Sequence, residues 1–300
     1  MTVTVAVTAR AAPSAGLDGA VDDAGNALVE GGPGLSRNLR PVRPDLHRSH
    51  RRRIPLSVTV LGSAGTFPQP DNPCSGYLVQ TPSVSVWVDT GPGTSSALQQ
   101  HLRLADVDAI VISHEHPDHW IELAVVRNGA KYVLGIDRIA VYGTAGTRRL
   151  AEAVIGDELE PLAWTTVTDG SDITIGDLAV RFAATDHPVE TLAMRFEAGG
   201  RVLGYTADTG SAWSLSSLDP AGTGFDLALC EATLPAAEAD ATKHLTARQA
   251  GAMAHAAMVR RLALTHLYEG VAADRADEAS ERGAFDGPVE VARPGQTFTV

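Results

Sequence analysis

Residues 113–120 of this 300-residue chain read Ser-His-Glu-His-Pro-Asp-His-Trp. The segment follows Ala-Ile-Val-Ile at 109–112, a short apolar run that predicts a buried strand. Its polar side chains therefore fall in a loop at the carboxyl end of that strand. Three histidines and one aspartate lie within six residues, and these side chains are the ligands that catalytic zinc takes. The segment therefore predicts a metal centre at a strand end.

The rest of the chain alternates strand-like and helix-like patterns. Short apolar or alternating runs predict strands, and apolar residues at a period of 3.6 predict helices. The predicted strands cover 56–62, 76–80, 85–89, 109–113, 139–143, 178–184, 191–197, 201–206, 226–231, 261–266 and a terminal run near Phe298. The predicted helices cover 95–103, about 119–133, 145–155 and 246–259, with Thr246 as the N-cap of the last. This order predicts an α/β domain of the α+β type, in which two packed sheets are flanked by helices.

Residues 1–53 differ in composition from the remainder. They are rich in Ala, Gly, Pro and Arg and lack a sustained period of 2 or 3.6. This predicts a disordered basic N-terminal extension before a folded domain at 54–300. Seven arginines and one aspartate at 37–53 give this stretch a charge of +6. Because the net charge of the chain is −12, the other residues together carry −18. An acidic body repels a polyanion at long range, whereas the basic stretch keeps RNA as an alternative partner.

The composition also bears on location. No window approaches eighteen consecutive apolar residues, so neither a transmembrane helix nor a membrane partner is expected. The first twenty residues lack a basic region followed by an apolar one, so a secretory signal is not expected. The two cysteines, Cys74 and Cys230, form no C-x-x-C pair, which is typical of a protein without disulfides in a reducing compartment. A cytoplasmic protein is therefore predicted.

The histidine segment and its downstream companions resemble the metallo-β-lactamase superfamily, in particular its branch of ribonuclease Z and cyclic-nucleotide phosphodiesterases. The resemblance runs from about Leu56 to Val300. Its pieces are LGSAG at 61–65, PCSGY at 73–77, VDTGPG at 88–93, the segment at 113–120, DHPVET at 186–191, YTADT at 205–209, CEAT at 230–233, HLTA at 244–247 and LTH at 264–266. Each piece alone is weak, but their order and their positions at predicted strand ends are specific. The resemblance implies an αββα sandwich of two mixed sheets, with 54–300 as a metal-dependent hydrolase domain of this fold.

The resemblance also implies two metal ions, zinc by preference with Mn²⁺ or Fe²⁺ as alternatives. The ligands of the first ion are His114, His116 and His187; those of the second are Asp118, His119 and His266. Asp208 is expected to bridge the two. A shared carboxylate makes physical sense, because two cations a few ångströms apart repel each other. Such a pair lowers the pKa of bound water and neutralises the charge that accumulates at a phosphate.

The same resemblance assigns catalytic roles to two residues. Asp118 is expected to act in catalysis as well as in metal binding. His244 is a non-ligand that contacts the phosphate or protonates the leaving oxygen, a role suited to imidazole near neutral pH; its alternative is a helix-cap neighbour without chemistry. Asp89 is expected to brace the histidine segment, and Glu231 to orient a ligand or His244. The residues expected to take no part in the chemistry are Glu115, Glu190, His47, His50, His101 and His255.

The distance along the chain between His187 and Asp208 bears on the substrate. Family members that process tRNA carry a long arm between these positions, whereas here they are 21 residues apart, joined by one predicted hairpin with its turn at 198–200. Together with the acidic body, this favours a small phosphodiester such as a 3′,5′-cyclic nucleotide. The chain departs from the family pattern at Trp120, at 193–194 and at Ala207, where glycine is common, which leaves the shape of the pocket open.

Three alternatives remain on the sequence alone. The first is a ribonuclease Z-like tRNA 3′ endonuclease. The second is a metallo-hydrolase of a thioester, lactone or β-lactam, which would use the same ions. The third is a non-enzymatic RNA binder, which the complete ligand set disfavours. A homodimer is compatible with each of them.

Overall fold

The computed structural model describes residues 56–156, 158–268 and 274–300. The strands are β1 Ser57–Gly62, β2 Gly76–Gln80, β3 Ser85–Val88, β4 Ala109–Val111, β5 Ile139–Gly143, β6 Leu162–Thr166, β7 Asp172–Ile175, β8 Leu178–Ala184, β9 Leu192–Ala198, β10 Arg201–Tyr205, β11 Leu227–Glu231, β12 Leu262–Thr265, β13 Val289–Val291 and β14 Thr297–Thr299. The α-helices are α1 Thr94–Leu98, α2 Pro117–Trp120, α3 Glu122–Asn128, α4 Ala145–Ile155, α5 Ala247–Ala256 and α6 Arg275–Ser280. Within the described ranges, no helix is long and apolar enough to cross a membrane. The predicted extension at 1–53 lies outside the described residues.

Two seven-stranded sheets build the domain. The first has the order β14-β1-β2-β3-β4-β5-β6, and the second has the order β13-β12-β11-β10-β9-β8-β7. In the first sheet, β14, β1, β2 and β3 pair antiparallel and β3 to β6 pair parallel. In the second sheet, β7 to β10 pair antiparallel and β10 to β13 pair parallel. Both sheets are therefore mixed, as predicted.

The sheets pack face to face through a central apolar layer. On β8, Leu178, Val180 and Phe182 point into this layer, as the period of two along a strand requires. The outer face of the second sheet packs against Ala250 and Ala254 of α5, among others. The outer face of the first sheet packs against residues of α1, α3 and α4. The layers follow the order helix, sheet, sheet, helix, and the predicted αββα sandwich is confirmed.

Helix α5 begins where the sequence predicts. The Thr246 hydroxyl accepts a hydrogen bond from the Gln249 N–H (3.2 Å), and the Gln249 side chain accepts one from the Thr246 N–H (2.9 Å). This capping box satisfies amides that have no partner inside the helix. The helix ends at Ala256 rather than at 259.

Several elements differ from the sequence prediction. The helix predicted from about 119 begins at Pro117, whose missing N–H is not needed in the first turn, and its last part is a π-helical turn, Gly129–Leu134. Strands β6, β7 and β13 and helix α6 were not predicted. All three of these strands lie at or near a sheet edge, at the ends of the two strand orders. An edge strand has a neighbouring strand on one side only and buries fewer side chains, so its apolar pattern is weak.

Candidate metal centre

The polar residues of the predicted site meet at one end of the sandwich. His114 follows β4, His187 follows β8, Asp208 follows β10 and His266 follows β12. Strands β8, β10 and β12 run in the same direction, because β8 and β10 both pair antiparallel with β9 and the later strands pair parallel. The two sheets are joined at this end by a hydrogen bond from the Leu192 N–H to the Ser113 carbonyl (3.1 Å). Because these strands end on the same side, side chains from distant parts of the chain lie together at this end of the sandwich.

The structure brings all seven predicted ligands together in two groups, and a third group joins Asp208 and His266 to His244. The first group is His114, His116, His187 and Asp208, and the second is Asp118, His119 and His266; within each, the potential ligand atoms lie within 4.8 Å of one another. In the first group, His187 Nε2 lies 3.1 Å from His116 Nδ1. In the second group, His266 Nε2 lies 3.1 Å from Asp118 Oδ2 and 3.3 Å from His119 Nε2.

Asp208 stands between the two groups. Its Oδ1 lies 3.3 Å from His119 Nε2 and 3.6 Å from His266 Nε2. Its Oδ2 lies 3.6 Å from His114 Nε2 and 3.9 Å from His187 Nε2. Each oxygen of one carboxylate therefore faces a different group, which is the arrangement that a bridging ligand needs.

The residues fit divalent cations. The outward-facing nitrogens of three ligands are held by other groups: His119 Nδ1 by Asp89, His266 Nδ1 by Thr233 and His187 Nδ1 by the Lys243 carbonyl. This leaves the Nε2 atoms of these three histidines directed at one another and at Asp208, where a bound metal ion would be accommodated. His114 Nε2 and Asp208 Oδ1 are buried and make no hydrogen bond among the described residues. Two orphaned acceptors in a set of imidazoles and carboxylates match the ligands that zinc and similar ions take.

The charges at the site also favour a bound cation. Burial alone would raise the pKa of Asp208, but His266 and His119 hold it well below its ordinary value, so the carboxylate stays ionised. Burial opposes protonation of His119, yet Asp208, Asp118 and Asp89 raise its pKa well above the ordinary value. Burial, together with the neighbouring His119, lowers the pKa of His114, whose ring stays neutral and able to ligate. The centre therefore favours positive charge between its carboxylates.

Asp89 braces the histidine segment, as expected. Its Oδ1 accepts the Ser113 N–H (2.7 Å), and its Oδ2 accepts the Ser113 hydroxyl (2.9 Å) and the Tyr205 hydroxyl (2.7 Å) besides facing His119 Nδ1 (2.8 Å). One buried carboxylate thus links strands β3 and β10 to the ligand loop. The fixed orientation of His119 follows from this contact.

Glu231 is fully buried and orients His244. Its Oε1 lies 2.9 Å from His244 Nδ1 and accepts the Thr209 N–H (2.7 Å), while its Oε2 accepts the Thr233 hydroxyl (2.8 Å). Burial disfavours the charged imidazole, but the hydrogen bond and charge of Glu231 outweigh it and raise the pKa of His244 to about 9. The ring of His244 stacks on that of His266, with centroids 5.6 Å apart. His244 is therefore placed beside both ligand groups with its Nδ1 already occupied.

Residues 85–267 match the model of the β-lactamase superfamily domain. The chain belongs to this superfamily. An uncharacterised protein of Mycobacterium leprae is 32% identical over 267 residues, which are 84% of this chain and 91% of that protein. The probable metallo-hydrolase YhfI of Bacillus subtilis is 31% identical over 253 residues, 80% of this chain and 98% of YhfI. Ribonuclease Z of Methanopyrus kandleri is 32% identical over 144 residues, 47% of this chain and 50% of that enzyme.

The fold of this β-lactamase superfamily member agrees with solved structures. The crystal structure of YhfI superimposes with a TM-score of 0.73 at 28% identity, covering 81% of this chain and 98% of that chain. The family model and the metallo-hydrolase relative together identify a metal-dependent hydrolase. The family and the enzyme class predicted from the sequence are confirmed.

Three positions of the superfamily site have left-handed backbone conformations without being glycine. They are Asp89 (φ 54°), Ala207 (φ 50°) and His266 (φ 57°). Non-glycine residues adopt this conformation only at a cost, and such positions cluster at functional sites. Ala207 stands where the family commonly has glycine, and its φ shows why glycine suits that position.

Sequence reasoning missed the role of Glu115, which lies between two ligands. Its carboxylate occupies the space beside Gly146 at the start of α4, and a Cβ at Gly146 would overlap Oε2 of Glu115. Arg149 Nη2 lies 3.6 Å from the same oxygen, and the Glu115 carbonyl accepts the Trp120 Nε1–H (2.8 Å). The Glu115 carboxylate thus lies at the amino end of α4, where a helix attracts an anion. No spacing in the sequence joins Glu115 to Gly146.

Gly146→Ala is expected to weaken metal binding about tenfold, because the added methyl displaces the Glu115 carboxylate and shifts the loop between His114 and His116. Competition with a chelator measures the affinity. Gly129→Ala is the matched control, since a Cβ there meets nothing within 4 Å. If Glu115 is the cause, the Gly146→Ala effect disappears in a Glu115→Ala background. Unchanged affinity in Gly146→Ala would show that Glu115 does not position the ligands.

The other candidates lie apart from the centre. Glu190 and His101 are exposed, and His255 lies on the surface with its Nδ1 3.7 Å from Asp286 Oδ2. None of them belongs to a group of potential ligands among the described residues. His47 and His50 lie outside the described residues.

Proposed function

We propose that this hydrolase cleaves small phosphodiesters, 3′,5′-cyclic nucleotides above all, with two divalent ions, zinc by preference. The observation that carries the proposal is the position of Asp208, which presents one oxygen to each of two ligand groups. A pair of ions a few ångströms apart is suited to phosphodiesters, because it holds two oxygens of the phosphate at once. His244, held by Glu231 beside these groups, supplies the further proton donor that such a reaction uses.

The two groups support an assignment of the ligands to two ions. The first ion would be held by His114, His116 and His187, the second by Asp118, His119 and His266, and both by Asp208. Ions bound there lower the pKa of a bound water toward neutrality and neutralise charge at the phosphate. Asp118 keeps its carboxylate in place by accepting the Thr66 N–H (2.9 Å). The protein's own contribution is to hold these side chains in place through such contacts.

His244 has the contacts of a general acid. Its Nδ1 lies against Glu231, so Nε2 carries the proton that can be donated. The hydrogen bond and the charge of Glu231 raise the pKa of His244 and so favour the protonated ring. Donation to the leaving oxygen avoids the expulsion of a strongly basic alkoxide, as in the opening of a cyclic phosphate.

The hairpin between the ligands favours a small substrate. Strands β9 and β10 are joined directly at Gly199 (φ 58°) and Gly200 (φ 73°), a turn that needs glycine at both positions. The long arm expected of tRNA-processing members has no counterpart between His187 and Asp208. The acidic charge outside 37–53 also repels a polyanion.

A ribonuclease Z-like activity is the second candidate, because 47% of the chain is 32% identical to a ribonuclease Z. It requires a surface that grips RNA in place of the arm. The basic stretch at 37–53 is the part of the sequence that could provide it.

Elemental analysis of protein purified without chelator is expected to give two divalent ions per chain, mainly zinc. A panel of bis-p-nitrophenyl phosphate, cyclic AMP, precursor tRNA and a lactone then ranks the substrates. Cyclic AMP is expected to be cleaved faster than precursor tRNA, with modest salt dependence, since it carries a single negative charge. Chelation is expected to abolish cleavage of every phosphodiester in the panel.

Each other outcome of the panel contradicts a different part of the proposal. A metal content near zero with activity intact after chelation excludes a metal mechanism. Preferred cleavage of the lactone indicates a carboxylic substrate. Efficient tRNA trimming that collapses at raised salt or on deletion of residues 1–53 identifies the ribonuclease.

A further inference from the structure

Phe67 is an exception among the phenylalanines of this chain. The other five are buried, with at most 3% of their surface exposed, whereas Phe67 is 57% exposed. An isolated apolar side chain on a surface is ordinary. The position of Phe67 is what distinguishes it, because it lies on the loop that follows β1 and reaches the metal centre.

The loop that carries Phe67 is fixed directly to residues of the centre. The Thr66 N–H donates to Asp118 Oδ2 (2.9 Å), and the Gly65 N–H donates to the carbonyl of Leu267 (3.1 Å), the residue after His266. A Cβ at Gly65 would lie 3.0 Å from His266 Nδ1, so the backbone packs on that ring. Thr66 has a left-handed conformation (φ 67°), which a non-glycine residue adopts at a cost. The loop is therefore held in one conformation against the second ligand group.

A second exposed ring lies on the neighbouring segment. Tyr268 is 37% exposed and follows Leu267, which pairs in parallel with Ala64. The two chain segments leave the centre side by side from this bridge, one toward Phe67 and the other toward Tyr268. Phe67 and Tyr268 therefore both lie within three residues of this bridge.

We propose that Phe67 and Tyr268 form an aromatic rim that stacks the base of a nucleotide substrate. The inference rests on the proposed function and specifies its substrate class. Aromatic rings bind bases through their faces with little dependence on base identity, and they need no charge to do so. Stacking of this kind suits a neutral base whose phosphate would be neutralised at the ligands.

The distance between rim and centre suits a nucleotide. From Asp118 Oδ2 to the Thr66 nitrogen is 2.9 Å, so the Cα of Phe67 lies no more than about 8 Å from that oxygen. The sugar of a nucleotide bridges a comparable gap between its phosphate and its base. A phosphate at Asp118 and a base at Phe67 can therefore belong to one molecule.

Calorimetry of the metal-loaded protein with a nucleoside 5′-monophosphate and with ribose 5-phosphate isolates the contribution of the base. The wild type is expected to bind the nucleotide about tenfold more tightly than the sugar phosphate. Phe67→Ala is expected to lose most of that difference and to bind ribose 5-phosphate as the wild type does. Tyr268→Ala is expected to show a smaller loss of the same kind. Phe67→Trp is expected to keep the difference in affinity between the two ligands, and Phe67→Leu is expected to lose it.

Tyr132→Ala is the matched control, because Tyr132 is an aromatic residue that is 69% exposed on the π-helical turn. It is expected to leave both affinities unchanged. Three outcomes would contradict the rim. They are an equal loss of affinity for both ligands in Phe67→Ala, no loss of affinity in that variant, and a wild type that binds both ligands equally. The binding test is independent of turnover. A wild type that cleaves no cyclic nucleotide but shows the base-dependent loss would refute the proposed reaction and keep the rim.

Discussion

Asp208→Ala is expected to lower phosphodiester hydrolysis by roughly three orders of magnitude or more, since even residues that merely orient ligands are worth about 10- to 100-fold. Asp208 faces both ligand groups, with Oδ1 3.3 Å from His119 Nε2 and Oδ2 3.6 Å from His114 Nε2. Its removal leaves two cations without their shared anion, and their mutual repulsion then expels at least one of them. Metal content and rate, measured on the same preparations, are expected to fall together.

Two variants sharpen this experiment. Asp208→Asn keeps the shape of the side chain and removes its charge, so a loss similar to that of alanine identifies charge as the cause. Asp172→Ala is the control, because Asp172 is a surface carboxylate that pairs with Arg181 (2.8 Å) away from the centre. Full metal content and activity in Asp208→Ala would contradict the bridging role and with it the two-ion proposal.

The ligand set was predicted from the resemblance to the superfamily, and strand direction explains why its members meet in the structure. His187, Asp208 and His266 each follow an apolar run at its carboxyl end, and parallel strands bring such ends together. The strands themselves are buried, so their apolar patterns are strong. Strand ends marked by strong apolar patterns can therefore be located in a sequence even when they lie far apart along the chain.

Other features depend on contacts that leave no pattern in the sequence. The edge strands β6, β7 and β13 bury fewer side chains and so carry weaker signals. Glu115 acquires its position from the empty space beside Gly146, and Phe67 from the hydrogen bond between Thr66 and Asp118. Each of these depends on the packing of a loop against another element, which spacing along the chain does not encode.

His244→Ala is expected to lower the turnover of cyclic AMP by about 10²- to 10⁴-fold, the range of a lost general acid, while leaving metal content unchanged. His244 lies beside the ligands, but its Nδ1 is held by Glu231 at 2.9 Å. The effect is expected to depend on the leaving group, because a p-nitrophenolate departs without a proton and the alkoxide of a cyclic nucleotide does not. With bis-p-nitrophenyl phosphate, the same variant is therefore expected to lose less than about tenfold.

The comparison of the two substrates separates proton donation from phosphate binding. A histidine that only binds the phosphate affects both substrates equally and changes KM, whereas a proton donor affects kcat and mainly the poor leaving group. His255→Ala is the matched control, because His255 is an exposed histidine beside Asp286 (3.7 Å). Loss of metal from His244→Ala would make His244 a ligand, and equal losses on both substrates would leave it a binding residue without a role as an acid.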